Sequence, residues 1–128
     1  VLSEIQQRTG LSILFISPDL AVVRAISHRV MVMYLGVLVE LAPTAELYRK
    51  PRHPYTRALL DAVPVADPAA VRARSSLRGE VPSILHPPAG CPFHPRCTFA
   101  EDRCTIEAQS LRKVGQSEVA CWRSEDVL

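Results

Sequence analysis

Aromatic residues make up only 5% of the 128 residues, which leaves too little material for a large stacking surface. Charge of one sign is also lacking. Fifteen Lys and Arg against 13 Asp and Glu leave a formal net charge of +2, with no dense basic stripe, so nucleic acid and lipid headgroups are not expected partners. The longest apolar run, Val30 to Val39, is broken by Gly36 and reaches about half of the roughly 20 residues that a membrane-spanning helix needs. None of the five glycines is followed by Lys. A G-x-x-x-x-G-K-[ST] loop is therefore absent, and with it the backbone cradle for a nucleotide's phosphates. The opening "VLSEIQQRTG" has no initiator Met and neither the basic region nor the apolar core of a signal peptide. It reads as mid-helix sequence, which predicts a piece of a longer chain.

What is present is a chain of 48% hydrophobic residues, enough for one modest core and an appendage. Leu2, Ile5 and Gln6 fall on one helical face, with Gly10 placed to follow the helix end before the apolar run "LSILFIS". In "FISPDLAVVR", Ser17 suits a cap, Pro18 the first helical turn and Asp19 the positive end of the helix dipole. A helix to His28 and then a hairpin around Gly36 are expected. Alternating helices and near-continuous apolar strands predict part of an α/β sheet buried on both faces. Pro43-Thr44 reads as a break and an N-cap into "AELYRK", and a further helix restarts after Pro54. Beyond it the composition shifts to Pro, Ala, Arg and Ser, a linker with one helical turn near Ala69 to Arg74.

All four cysteines, Cys91, Cys97, Cys104 and Cys121, lie in the last third, spaced C-x5-C-x6-C-x16-C. That spacing matches neither the paired C-x2-C of zinc ribbons nor the C-x2-C-x2-C run of bacterial ferredoxins. Large apolar side chains are few here, chiefly Phe93, Phe99, Ile106, Leu111 and Trp122, so a cross-link is needed to hold the segment. Two disulfides would serve an exported chain. With no sign of export, four thiols in one short region point to a metal, either zinc or an iron–sulfur cluster.

Weaker candidates surround this one. His94 can substitute as a ligand or pair with Cys97 as a thiol nucleophile, although Phe93 and Pro95 favour a turn role. Val37 to Glu40, "VLVE", has the shape of an apolar strand ending in a catalytic acid but carries Val39 where a metal-binding Asp would stand. Arg72, Arg74 and Arg78 form a short basic stretch in the linker, best read as solvated.

Residues 10–64, with His-Pro-Tyr at His53, Pro54 and Tyr55, closely resemble the end of the ATP-binding subunit of bacterial oligopeptide/dipeptide ABC importers. The tail "GCPFHPRCTFAEDRC" and the later "VACW" follow in the family's order and spacing, so the resemblance runs from Leu2 to about Trp122. It implies a cytoplasmic ATPase peripheral to the inner face of the cell membrane. Such a subunit docks on permease subunits and drives uptake of peptides, or of nickel in some relatives. It further implies a [4Fe–4S] cluster on Cys91, Cys97, Cys104 and Cys121, with zinc as the alternative. The expected division is an ABC core remnant at 1–42, short helices around His-Pro-Tyr at 43–64, a Pro-rich linker at 65–89 and a four-cysteine tail at 90–123.

Two departures follow from the same resemblance. The family's phosphate loop, signature motif and catalytic Glu precede the part that begins at Val1, so ATP and Mg belong to the intact family protein. The partner expected is the missing ATPase half or a second ATPase subunit, and the chain alone is expected to be inactive. Pro18 stands where the family places its switch histidine, in a Ser-His-Asp-Leu stretch, and proline has neither a side-chain donor nor a titratable group. The rival reading is a stand-alone iron–sulfur or zinc interaction module.

Overall fold

Leu35 and Gly36 both have positive φ, 47° and 77°. That is the handedness at which a two-residue turn matches the twist of the strands it joins. The chain therefore reverses there, joining β1 (Arg29–Tyr34) to β2 (Val37–Pro43) as an antiparallel hairpin. A leucine in this conformation costs on the order of 1 kcal/mol, which its packing against the core offsets.

The computed structural model describes residues 1–63 and 77–127. Two helices precede the hairpin, α1 (Leu2–Thr9) and α2 (Leu20–Ile26), and two follow it, α3 (Thr44–Arg49) and α4 (Pro54–Asp61). In the tail, single 3-10 turns at His94–Arg96 and Asp102–Thr105 lead to a second hairpin, β3 (Arg112–Val114) and β4 (Ser117–Val119). Gly115, at φ 62°, begins its two-residue turn. One antiparallel sheet results, in the order β1-β2-β4-β3. It joins residues that sequence alone assigns to the two segments 1–42 and 90–123.

Along β1, Val30, Val32 and Tyr34 point inward while Arg29, Met31 and Met33 are exposed. The sheet is mixed with helices as expected, yet β1 is covered on one face rather than both. The register of β2 against β1 slips between Val32 and Met33, which pair with Glu40 and Leu38. Val39 is thus an extra residue, and a bulge of this kind re-aims the side chains beside it. Val39 and Glu40 are both buried, at 2% and 0% exposure.

A carboxylate in such a place must be hydrogen-bonded. Glu40 Oε1 accepts from the Arg52 N–H and Oε2 from the His53 N–H, both at 2.9 Å. Burial pushes its pKa up, against the Thr56 hydroxyl, the two N–H donors and the Arg52 charge, which pull it down. The "VLVE" acid is therefore structural: it fixes the backbone at the start of α4.

His53 completes that start. Its Nδ1 accepts from the Tyr55 N–H at 3.1 Å, capping α4 while Pro54 fills the first helical position. The ring is 1% exposed, and burial pushes its pKa down to about 3. It is neutral at ordinary pH, as an accepting Nδ1 requires.

Several sequence expectations change. Asp19, rather than Ser17, caps α2, accepting from Ala21 and Val22 N–H at 2.8 and 3.2 Å. Ser17 Oγ accepts from the Asp19 N–H at 3.0 Å, leaving Pro18 outside the first helical turn. Thr44 is the first residue of α3 rather than its cap, and its hydroxyl donates to the Ser27 carbonyl at 2.7 Å. The "LSILFIS" segment forms no strand, and Leu11, Ile13, Leu14, Phe15 and Ile16 are exposed. Its composition suits a strand covered on both faces, but among the described residues no neighbouring strand pairs with it. The helical turn expected near Ala69 to Arg74 lies outside the described residues.

Glu40→Ala strands two buried N–H groups and leaves a cavity, so it lowers stability by about 2–5 kcal/mol in urea unfolding. Glu40→Gln keeps one accepting oxygen and costs about 1–2 kcal/mol. Equal midpoints for both variants and the parent would show that Glu40 does not hold the His53 turn.

Candidate functional site

The tail backbone is drawn together before any side chain is considered. Gly90 has φ 68°, and a Cβ on it would lie 2.4 Å from the Cys104 carbonyl oxygen and 2.8 Å from the Ile106 nitrogen. Only glycine permits this approach. The Cys91 N–H then donates to the Cys104 carbonyl at 2.8 Å, joining the first and third cysteines.

After Cys91 the chain turns tightly. The His94 N–H donates to the Cys91 carbonyl at 3.0 Å and the Cys97 N–H to the His94 carbonyl at 3.2 Å. His94 Nδ1 donates to the same Cys91 carbonyl at 2.8 Å, so this ring holds the turn. Between them Phe93, 2% exposed, enters a cage of Tyr34, His53 and Tyr55, with ring centroids 5.2, 5.8 and 5.4 Å away. Truncating a buried Phe to Ala typically costs about 3–5 kcal/mol.

The four thiols share one neighbourhood. Cys91 and Cys104 are buried, Cys97 and Cys121 half-buried, and all four are free. The negative charge that each can carry acts on the others: Cys104 on Cys91, both on Cys97, and all three on Cys121. The backbone N–H groups of Phe93 and His94 act on Cys91, that of Phe99 on Cys97 and that of Arg123 on Cys121. Such donors favour thiolate. Burial wins over them, however, raising Cys91 and pushing Cys97 up to about 11 and Cys121 up to about 12. Unligated, these three thiols are protonated at neutral pH.

The donor set fits a thiophilic metal group in its chemistry, since four free thiols in one part of the fold suit a group that stabilises thiolates. Trp122, next to Cys121, keeps its indole N–H buried without an acceptor. Among the described residues no three His, Cys, Asp or Glu side chains converge where a single metal ion could sit.

Of the other residues singled out in the sequence, His94 lies between the first two cysteines and holds their turn. Pro18 is exposed in the segment ahead of α2. Three residues that build the site were missed: Glu40, His53 as a helix cap, and Arg112, which binds the turn after Cys121. An acid inside an apolar strand and a His immediately before Pro were the available signals for the first two.

Residues 39–104 match the family described as "Oligopeptide/dipeptide transporter, C-terminal region". The match covers half of the chain, and the protein belongs to that family. Among curated proteins, the chain is 57% identical over 111 residues to a Sinorhizobium fredii protein named as a peptide ABC transporter ATP-binding protein, 87% of this chain and 31% of that one. It is 54% identical over 121 residues to a Brucella abortus protein named as a peptide import ATP-binding protein, 94% of this chain and 36% of the relative. A similarly named Brucella ovis protein is 52% identical over 114 residues, with 89% and 36% covered. The chain thus spans about a third of the length of these relatives.

In the metal-free protein, iodoacetamide at about pH 8 is expected to alkylate Cys97 and Cys121 at least about tenfold more slowly than free cysteine. Because their pKa values lie above the ordinary thiol value, both rates climb as pH rises from about 9 through about 11, read thiol by thiol in mass spectra. Ordinary rates at about pH 8 would show that the fold does not bury these sulfurs.

Proposed function

We propose that the chain is part of the ATP-binding subunit of a peptide ABC importer, and that its tail holds a [4Fe–4S] cluster through Cys91, Cys97, Cys104 and Cys121. The family match and the names of the relatives support the first statement. The second is supported by the fold of the tail: four free thiols up to 30 residues apart in sequence lie buried or half-buried, and the Cys91 N–H donates to the Cys104 carbonyl at 2.8 Å, joining the first and third. The choice of a cluster over zinc comes from the resemblance of the four-cysteine tail to the family's. Such a cluster supplies one-electron redox chemistry, a structural staple, or both. The chain's own residues supply the thiolates, the N–H donors and the fixed turn at His94.

On this reading ATP, Mg and the ATP hydrolysis that drives peptide uptake belong to the rest of a family protein, which works with permease subunits and a second ATPase subunit. The assembly sits at the cytoplasmic face of the membrane. Among the described residues no helix is long and apolar enough to cross a membrane. Segments 1–42, 43–64, 65–89 and 90–123 act as core remnant, His-Pro-Tyr helices, linker and cluster-binding tail.

Anaerobic purification with an optical spectrum and metal analysis tests the cluster. A brown protein with about four iron and four sulfide per chain is expected. A colourless protein holding zinc would overturn the assignment.

Pro18 stands where the resemblance puts the family's switch histidine. With the upstream ATPase part restored, Pro18→His is expected to raise ATP turnover on the order of 100-fold, the scale of a restored proton-handling side chain. An unchanged rate would make Pro18 only a residue ahead of the α2 cap.

A further inference from the structure

Cys121 is the outlier of the thiol set. Sixteen residues separate it from Cys104, against intervals of five and six within the rest, so its turn has no short local tether to the others. A long loop of this kind leaves its far end free unless something outside the loop fixes it.

One guanidinium does so. Arg112 Nη2 donates to the Cys121 carbonyl at 2.9 Å, the Trp122 carbonyl at 3.1 Å and Ser124 Oγ at 3.0 Å, and Nε donates to the Cys121 carbonyl at 3.3 Å. Ser124 is fully buried. Arg112 is itself anchored, because it lies in β3 opposite Val119, and β4 pairs with β2 through Glu40 and Val119. The guanidinium therefore carries the position of the sheet into the turn. From the other side Arg103, the neighbour of Cys104, stacks over the Trp122 ring at 4.5 Å. The turn is gripped by its carbonyls and by its ring.

We propose that Arg112 is the positioning residue for the fourth thiol, setting the turn at Cys121 to Ser124 so that Cys121 faces the other three. A planar fork of donors spans two carbonyls and a hydroxyl at once, whereas a lysine ammonium would offer one mobile point. The inference rests on the cluster reading for its ligand, but its geometry stands in the metal-free protein.

Two readouts on Arg112→Gln in the intact chain test it. In the metal-free protein, Cys121 is expected to alkylate about tenfold faster than in the parent, with Cys91, Cys97 and Cys104 changed by less than about twofold. After anaerobic reconstitution with iron and sulfide, iron falls from about four to about three per chain, and one-electron oxidation with ferricyanide brings out the paramagnetic resonance signal of a three-iron cluster. Arg112→Lys, which keeps the charge and the strand, gives the same selective rise at Cys121, smaller in size, and serves if the Gln variant does not fold. An unchanged Cys121 rate in both, or an equal rise at all four thiols, overturns the proposal. A parent protein that takes up no iron or sulfide defeats the cluster reading, and the alkylation pattern then decides the role of Arg112 by itself.

Discussion

Phe93 is where the separate parts of this chain become one body. Its ring sits two residues after Cys91 and four before Cys97, inside a cage made by Tyr34 of the first hairpin and by His53 and Tyr55 of the His-Pro-Tyr motif. Tyr34 and Tyr55 touch each other as well, at 4.7 Å between centroids. The motif thus reads as a structural one. His53 is buried and neutral, Pro54 starts the helix, Tyr55 forms a wall, and together they give the cysteine tail a fixed place to land.

The cage depends on the bulge at Val39. A regular β2 would turn Glu40 away from the interior, and the Arg52 and His53 N–H groups would lose their carboxylate. The same bulge region receives the tail, since the Ala120 N–H donates to the Val39 carbonyl at 2.9 Å one residue before Cys121. The landing place is therefore set by one irregularity in one strand, which also holds the chain up to the residue before the fourth thiol. A slip of a single residue in that register would move every inward side chain of the strand to the other face.

Where local rules decide the outcome, the sequence shows it. Gly10 takes the left-handed conformation after α1, Gly36 turns the first hairpin, and Pro54 opens α4. The four thiols were legible because residue type alone marks them. What the sequence hides is long-range. Nothing in "VLVE" announces a bulge, and nothing in "SLRKVGQSEVACW" beyond Gly115 announces that its hairpin extends the sheet begun at Arg29. The cap before α2 moved from Ser17 to Asp19 because two suitable oxygens compete within three residues, and propensity does not separate them. The apolar run 11–17 misled for a different reason. A buried strand is a property of its neighbours, and here the described residues supply none.

Burial is distributed unevenly along the chain as a result. Neither α1 nor α2 buries a single residue, and the apolar segment between them is exposed. From Val30 onward, by contrast, the hairpin, the aromatic cage and the thiols cover one another. An apolar surface of the first kind calls for cover from elsewhere, and relatives about three times as long have the chain to provide it. The two candidate chemistries divide along the same line. Any role at position 18 depends on that cover, because the residue lies in the exposed segment and touches none of the aromatic cage. The thiol set draws its geometry from Phe93, Gly90 and Arg112, all within the part that closes on itself. On the proposed reading the two chemistries therefore draw on different parts of the chain, and the thiols share their core with the first hairpin through Phe93.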